Sequence, residues 1–263
     1  MMFTRRHAIM LATALGLAAG SLSAASAEPF RIGAYPSNPP FEYKNASGVF
    51  EGFEVDIATE AAKRAGLEPE IADYGFQALF AATTSGRIDG AISSITITAE
   101  RLESQSFTQP YYDSDMGIAV KEGMTLAGTE ELKDKTVGVL SGSTGAKWVD
   151  DNKESLGIKA VKGYNAQQDM FLDLGAGRVD AVVSDIPGME YLFTKMKGFE
   201  VAARIKTGEQ YGMMMGKDHP QLDAINEAIT TMKEDGTMAE IHEKWFGSAA
   251  PANSSTVTVF AIP

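Results

Sequence analysis

The chain of 263 residues has no cysteine. That excludes a disulfide framework, a Cys–His nucleophile pair and an acyl anchor built on a lipobox cysteine. Histidine is nearly absent: only His7, His219 and His242 occur. None stands at metal-ligand spacing from other donors, so neither a metal nor another cofactor is expected. Basic residues are also scarce, with 23 Lys and Arg against 35 Asp and Glu. Such an acidic chain is a poor partner for nucleic acid or anionic lipid. The serine-hydrolase elbow is missing too. "SGSTG" at 141–145 does not fit G-x-S-x-G, because Gly142 directly precedes Ser143.

Long apolar runs are absent but for one. Ala8–Ala19 (AIMLATALGLAA) follows a basic pair, Arg5 and Arg6, and is too short to span a bilayer. With Ala25-Ser26-Ala27 behind it, the segment 1–27 is expected to be a signal peptide, and the mature chain to start at Glu28. "TRR" at 4–6 hints at twin-arginine export. Cleavage removes two arginines and no acids, so 23 basic residues become 21 against 35 acidic, a net charge of −14. The expected product is exported, soluble and unanchored, which in a two-membrane bacterium means periplasmic.

What is present is an alternation of strands and helices. "FRIGAY" reads as a strand, "PSNPP" as a rigid loop, and "FEVDIATEAAKRAG" as an amphipathic helix stopped by Gly66. "LEPEIADY", "FQALFAATTSG" and "IDGAISSITIT" continue as strand, helix, strand. "TVGVLSGSTGAKWVDDN", "AQQDMFLDLGAG" and "VDAVVSDIPGMEYLFTKM" then repeat the theme. An α/β architecture with mostly parallel sheets is expected. "SGRIDGAISS" and "AGRVDAVVSD" match in outline, as expected of two lobes built alike; Asp89 and Asp180 in them read as structural caps. Two helices close the chain through Gly247. The tail 248–263 reads as disordered, with "TVTVFAI" as an alternative added strand.

The stretch "SSITITAER" sets hydroxyls at Ser94, Thr96 and Thr98, alternating as on one face of a strand, and then places Arg101. Ligands of open α/β sheets sit beyond the carboxyl ends of strands. Thr98 is a suitable cap for a helix starting at Ala99. Arg101 then falls in its first turn, where the helix dipole disfavours a cation. A bound carboxylate would account for it. So would a surface pairing with Glu100 or Glu103.

"NPPFEYKNASGVFEGFEVDIATEAAKRAG", "SGRIDGAISSITITAER", "FTQPYYDS", "AGRVDAVVSD", "EQYG" and "DGTMAEIHEKWFG" occur in this order. Together, over about Phe30 to Gly247, they resemble the polar-amino-acid-binding proteins of ABC importers, solute-binding family 3. The resemblance implies a type II periplasmic-binding-protein fold, with two α/β lobes joined by a double hinge around a ligand cleft. Lobe 1 would comprise 28–117 and 212–247, and lobe 2 would comprise 118–211. The implied partners are an amino acid and the membrane permease and ATPase of an importer, with the protein itself a monomer. Residue by residue, Arg101 and Thr96 resemble the grip on the α-carboxylate. Ser94 and Asp185 resemble the grip on the α-ammonium. Thr144, with Ser143 beside it at a helix start, resembles the second lobe's contact to the carboxylate. Phe76 resembles an aromatic lying over the ligand side chain. Thr144 and Asp185 are also readable as helix caps, and Phe76 as core. An amino-acid zwitterion, however, needs one fixed cation, one fixed anion and neutral donors, and these residues supply that set.

Relatives of this kind that take lysine, arginine or histidine usually carry an acid after the first strand. "AYPSNPPF" offers Tyr35 and Asn38 and no acid, and Leu140 adds an apolar wall. An uncharged polar side chain is therefore expected, because an unpaired buried cation is costly. The rival is an exported enzyme on the same fold, similar to cyclohexadienyl dehydratase, with a lone acid such as Glu42 or Asp185 as general acid.

Overall fold

A computed structural model describes residues 29–263. The expected signal segment, 1–27, lies outside the described residues, and within them no helix is long and apolar enough to cross a membrane.

The elements run β1 (Pro29–Ala34), β2 (Ser37–Asn38), β3 (Glu42–Lys44), β4 (Phe50–Glu51), α1 (Phe53–Arg64), β5 (Glu68–Asp73), α2 (Phe76–Thr84), β6 (Gly90–Ile92), α3 (Ala99–Ser104) and β7 (Gln105–Phe107). There follow β8 (Tyr112–Lys121), β9 (Thr136–Leu140), α4 (Thr144–Asn152), β10 (Ala160–Tyr164), α5 (Gln167–Gly175), β11 (Ala181–Asp185) and α6 (Ile186–Lys195). The chain ends with β12 (Phe199–Tyr211), β13 (Met214–Gly216), α7 (Leu222–Glu234) and α8 (Thr237–Phe246).

Two five-stranded sheets result, ordered β5-β1-β6-β13-β7 and β10-β9-β11-β8-β12. β1 is buried on both faces over Ile32–Ala34, as a central strand between helix layers must be. It pairs parallel with β5 and β6. β9 likewise pairs parallel with β10 and β11. The sheets are mixed, however, because β13 runs antiparallel to β6 and β7, and β8 antiparallel to β11 and β12. These are the strands that flank the two passages of the chain between sheets, where it returns rather than crossing over a helix. The passages lie side by side: Tyr111 N–H donates to Tyr211 O at 2.9 Å and Thr108 N–H to Met213 O at 3.0 Å. The first passage ends earlier than the boundary expected at 117, because Tyr112–Lys121 is one continuous strand of the second sheet.

Each lobe has its own core. In the first, α1, α7 and α8 cover one sheet face with Phe53, Ile57, Ile225, Ile229 and Met232. On the other face pack Phe76, Leu79, Ile88 and Phe107. The second sheet is sandwiched between one cluster around Val137, Val149 and Val183 and another around Met170, Phe171 and Met189. The likeness of the two "G-R-x-D" stretches is structural: Asp89 accepts from Arg31 N–H at 2.8 Å and Asp180 from Thr136 N–H at 2.7 Å, each tying its strand to a neighbour.

Two expectations need correction. The strand through "IDGAISSITIT" stops at Ile92. Ser94 turns to a φ of +48°, and Thr96 makes only an isolated bridge to Tyr211. The hydroxyls of Ser94, Thr96 and Thr98 therefore do not share a strand face. The tail is neither disordered nor a strand. Ser255 and Thr256 are 1% and 2% exposed. Ser255 N–H donates to Asp113 and the Thr256 hydroxyl to Tyr111 O, so the tail lies against the first inter-lobe passage.

Gly52 sets the geometry beneath the site. Its φ is +142°, and a Cβ there would sit 2.2 Å from Phe41 O. Only glycine allows the chain this approach. The first turn of α1 then lies directly under the β2–β3 hairpin, with Glu54 N–H on Phe41 O at 2.8 Å.

Candidate functional site

The ten residues singled out from the sequence all line one cavity between the two sheets. The first lobe contributes Tyr35, Asn38, Phe76, Ser94, Thr96 and Arg101, and the second Leu140, Ser143, Thr144 and Asp185. The fold adds Phe41, Glu42, Ser93, Gln167, Ser184, Gly188 and Tyr211.

Arg101 is positioned by its own helix end. Thr98 caps α3, its hydroxyl accepting from Arg101 N–H at 3.1 Å. The guanidinium donates to Thr96 O at 2.7 Å and across the cleft to Gly142 O at 3.2 Å. It lies over the Phe80 ring, 4.9 Å from the centroid. The surface pairing with Glu100 or Glu103 is not seen: Arg101 makes no ion pair with either, its guanidinium going to backbone carbonyls, and Glu100 stands 4.0 Å from Lys147. Burial pushes the guanidinium's pKa down, opposed by the charges of Asp185 and Glu209. It remains a cation, since arginine does not deprotonate in proteins.

In the second lobe Ser143, not Thr144, caps α4, accepting from Ala146 N–H at 3.1 Å. That leaves Thr144 at the first helical position without a capping role. Gly142, with φ +79°, brings this loop against Gln77 of α2. Asp185 ends β11 and occupies the cap position of α6, but its side chain makes no capping bond. It accepts from the Tyr211 hydroxyl at 2.6 Å. Burial, reinforced by the charge of Glu209, raises its pKa from 3.8 to about 7, against the Tyr211 bond and Arg101. A fixed cation on one lobe thus faces an enclosed acid on the other.

Leu140 closes the wall at the end of β9. Phe76 belongs both to the cavity and to the core beneath it, edge-on to Phe80 at 5.6 Å. The Tyr35 hydroxyl accepts from Gln167 N–H at 3.2 Å, joining the first lobe to the start of α5. Asn38 Nδ2 donates to Ser94 Oγ at 2.9 Å and to Glu42 Oε2 at 3.1 Å.

The premise for an uncharged side chain needs correction here. The loop after β1 holds no acid as far as Phe41, but the next residue, Glu42, is fully buried and lines the cavity. Glu54 stands behind it, accepting from the Tyr111 hydroxyl at 2.6 Å and Ser94 N–H at 2.7 Å. The stretch "FEYK" gave no local sign of this, since an acid in a short polar hairpin reads as solvent-facing. The close approach of Gly52 to the backbone of Phe41 and Glu42, together with Asn38 and Glu54 beside the side chain, encloses it.

A sequence profile of the bacterial extracellular solute-binding proteins, family 3, matches residues 30–248. The chain belongs to this family. It is 34% identical to the L-arginine-binding protein of Pseudomonas aeruginosa over 249 residues, covering 90% of this chain and 96% of that one. It is 30% identical to the L-cystine-binding protein TcyJ of Escherichia coli over 221 residues, 82% of each. The structure of an ancestral arginine-binding protein bound to arginine superposes with a TM-score of 0.79 at 35% identity, covering 83% of this chain and 98% of that one. The relatives named are binding proteins, and they lend the enzyme alternative no support.

Proposed function

We propose that the chain is the substrate-binding component of an amino-acid ABC importer. It is exported to the periplasm through a cleaved signal peptide, acts there as an unanchored monomer, captures a polar L-amino acid by hinge closure, and delivers it to a membrane permease and its ATPase. The observation that carries this reading is the placement of Arg101 and Asp185 on opposite lobes of one cavity. An α-amino acid presents one anion and one cation on adjacent carbons. Arg101, with Thr96, Ser143 and Thr144, suits the carboxylate, and Asp185, with Ser94, suits the ammonium. The charged half of each grip stands on a different lobe, Arg101 on the first and Asp185 on the second. Closure of the cleft is then favourable only around a ligand that bears both charges.

The loop of residues 35–41 by itself favours an uncharged polar side chain. Glu42 beside it favours one that carries hydrogen-bond donors.

The test is a thermal-shift screen of the mature protein against the amino acids, repeated with Arg101→Ala. A ligand at a thousand times its Kd adds about 4 kcal/mol, which at roughly 2–4 °C per kcal/mol is a shift of about 8 °C or more. Arg101→Ala leaves the ligand carboxylate buried without its partner, a loss of roughly 3–5 kcal/mol, and should abolish the shift in a protein that still folds. No shift with any α-amino acid would refute the reading.

A further inference from the structure

The tail that follows α8 is anchored to both lobes at once. Residues 249–263 lie beyond the part of the chain that matches the family, yet Ser255 and Thr256 are buried as deeply as core residues. One anchorage is on the second sheet. Ser255 N–H donates to Asp113 Oδ2 at 2.7 Å, its hydroxyl donates to Asp113 Oδ1, and Gln210 Nε2 donates to that hydroxyl at 2.7 Å. Asp113 stands near the start of β8 and Gln210 opposite it near the end of β12, where the two passages meet the second lobe. The other anchorage is on the first lobe. Lys233 of α7 donates to Thr258 O at 2.8 Å, and Phe260 N–H donates to Gln109 Oε1 at 3.0 Å. The Lys233 ammonium also faces the Phe260 ring, 5.6 Å from the centroid. Between Ser255 and Thr258 the chain is a tight turn, with Val257 N–H and Thr258 N–H both on Ser254 O. No tail residue lines the ligand cavity.

We propose that residues 254–260 are a hinge strap, which docks across the pivot when the lobes close and so slows the release of a bound amino acid. This rests on the amino-acid-binding reading above. The strap's bonds are made in the same arrangement as the bonds that cross the cleft, Arg101 to Gly142 O and Tyr35 to Gln167 N–H. Opening the lobes moves Asp113 and Gln210 relative to Lys233 and Gln109. So short and tight a turn cannot follow both, and one anchorage must give. Lys233 is buried and its ammonium has three acceptors, Gln109 Oε1, Pro110 O and Thr258 O, so it keeps the Thr258 end in place. The Ser255 end lets go. Each bond lost there and replaced by water shifts the balance between open and closed by roughly two- to thirteenfold. An amino acid favours closure and closure favours the docked tail, so by reciprocity the tail favours retention of the amino acid.

The experiment is hydrogen exchange read by mass spectrometry on the mature full-length chain, with and without saturating L-arginine. Where L-arginine does not bind, the amino acid with the largest shift in the thermal screen replaces it. Exchange in the segment around Ser255 should slow by about tenfold or more on binding, although nothing there touches the cavity. A tail that merely completes the fold would exchange alike in both states. Stopped-flow kinetics supply the reciprocal measurement. Ser255→Ala removes the hydroxyl between Asp113 and Gln210 and should speed release by roughly two- to thirteenfold, while the association rate holds. Deletion of 254–263 should speed release by at least about tenfold. The exchange measurement needs no variant, so it stands even if the deletion folds poorly. Equal exchange in the two states, or faster exchange with the amino acid bound, would overturn the strap and leave the amino-acid-binding reading intact. So would a Ser255→Ala protein that releases at the wild-type rate. Wild type that binds no α-amino acid would refute the binding reading itself, and the inference with it.

Discussion

Affinity for an amino acid should fall steeply with acid, and Asp185 determines where. The carboxylate must be ionised to pair with the ligand's ammonium. In the free protein burial and the Glu209 charge raise its pKa to about 7. Binding therefore competes with a proton, and the apparent Kd grows as one plus the ratio of protonated to ionised Asp185. That factor is close to one at pH 8, about two at pH 7 and about a hundred at pH 5. The ligand's own carboxylate and ammonium do not titrate in this range. A neutral-side-chain ligand should be used, so that the far end of the cavity contributes no proton of its own. Titration by calorimetry from pH 5 to pH 8 should show affinity lost by about tenfold per unit below 7. Stability of the ligand-free protein should move the other way. The folded pKa lies above the unfolded value of 3.8, so between those two values the folded state binds more protons. The contribution of Asp185 to stability is then greatest below pH 4 and is lost as pH rises toward 7. Asp185→Asn should thus raise the melting temperature of the free protein at pH 8 and abolish binding there. A flat affinity profile, or an Asp185→Asn protein that still binds, would refute the assignment of the ammonium to Asp185.

Two further outcomes can be stated. Tyr35→Phe removes the hydroxyl that accepts from Gln167 N–H across the cleft. The loss of about 0.5–1.5 kcal/mol should weaken ligand binding by roughly two- to thirteenfold in calorimetry and leave the melting temperature of the free protein nearly unchanged. Lys233 is buried, and its ammonium donates to Gln109 Oε1, Pro110 O and Thr258 O at 2.7–2.8 Å. Lys233→Met should cost roughly 2–4 kcal/mol, lower the melting temperature by roughly 4–16 °C, and open residues beyond 248 to limited proteolysis.

The elements that depend on local periodicity were readable. α1 begins and ends as the spacing of Val55, Ile57, Ala58, Ala61 and Ala62 predicts, because that face alone could be buried. Thr98 caps its helix because a hydroxyl at that offset satisfies a free amide. The ten candidate residues gather at one cavity because both lobes present the carboxyl ends of their parallel strands to the cleft. Features made by long-range contact were not readable. Ser94 leaves the strand to give its amide to Glu54, which lies 40 residues away in the chain. Glu42 is enclosed in part by remote elements, Gly52 at the entry to α1 and Glu54 beyond it, which its local sequence does not announce. The tail is held by Asp113, Tyr111 and Lys233, each remote in sequence, and no composition rule foresees a polar segment ordered by such partners.

The arrangement also bears on why half of the grip stands on each lobe. Under the proposed closure, the open protein would expose Arg101 and Asp185 separately, each hydrated and neither able to draw the lobes together. The cleft keeps several bonds of its own across the gap: Arg101 to Gly142 O, and Tyr35 to Gln167 N–H. Each is worth only about a kcal/mol net, and closing the empty cleft buries two opposed charges whose desolvation such bonds do not offset. A ligand with a carboxylate alone would satisfy Arg101 and leave Asp185 buried against Glu209 without a cation. A ligand with an ammonium alone would do the reverse to Arg101. Only the zwitterion removes both costs at once, so the closed form should report on an intact amino acid and not on either of its ends. The Tyr211 hydroxyl on Asp185 places this charge balance beside the inter-lobe passage itself, at the end of the strand that leads into it.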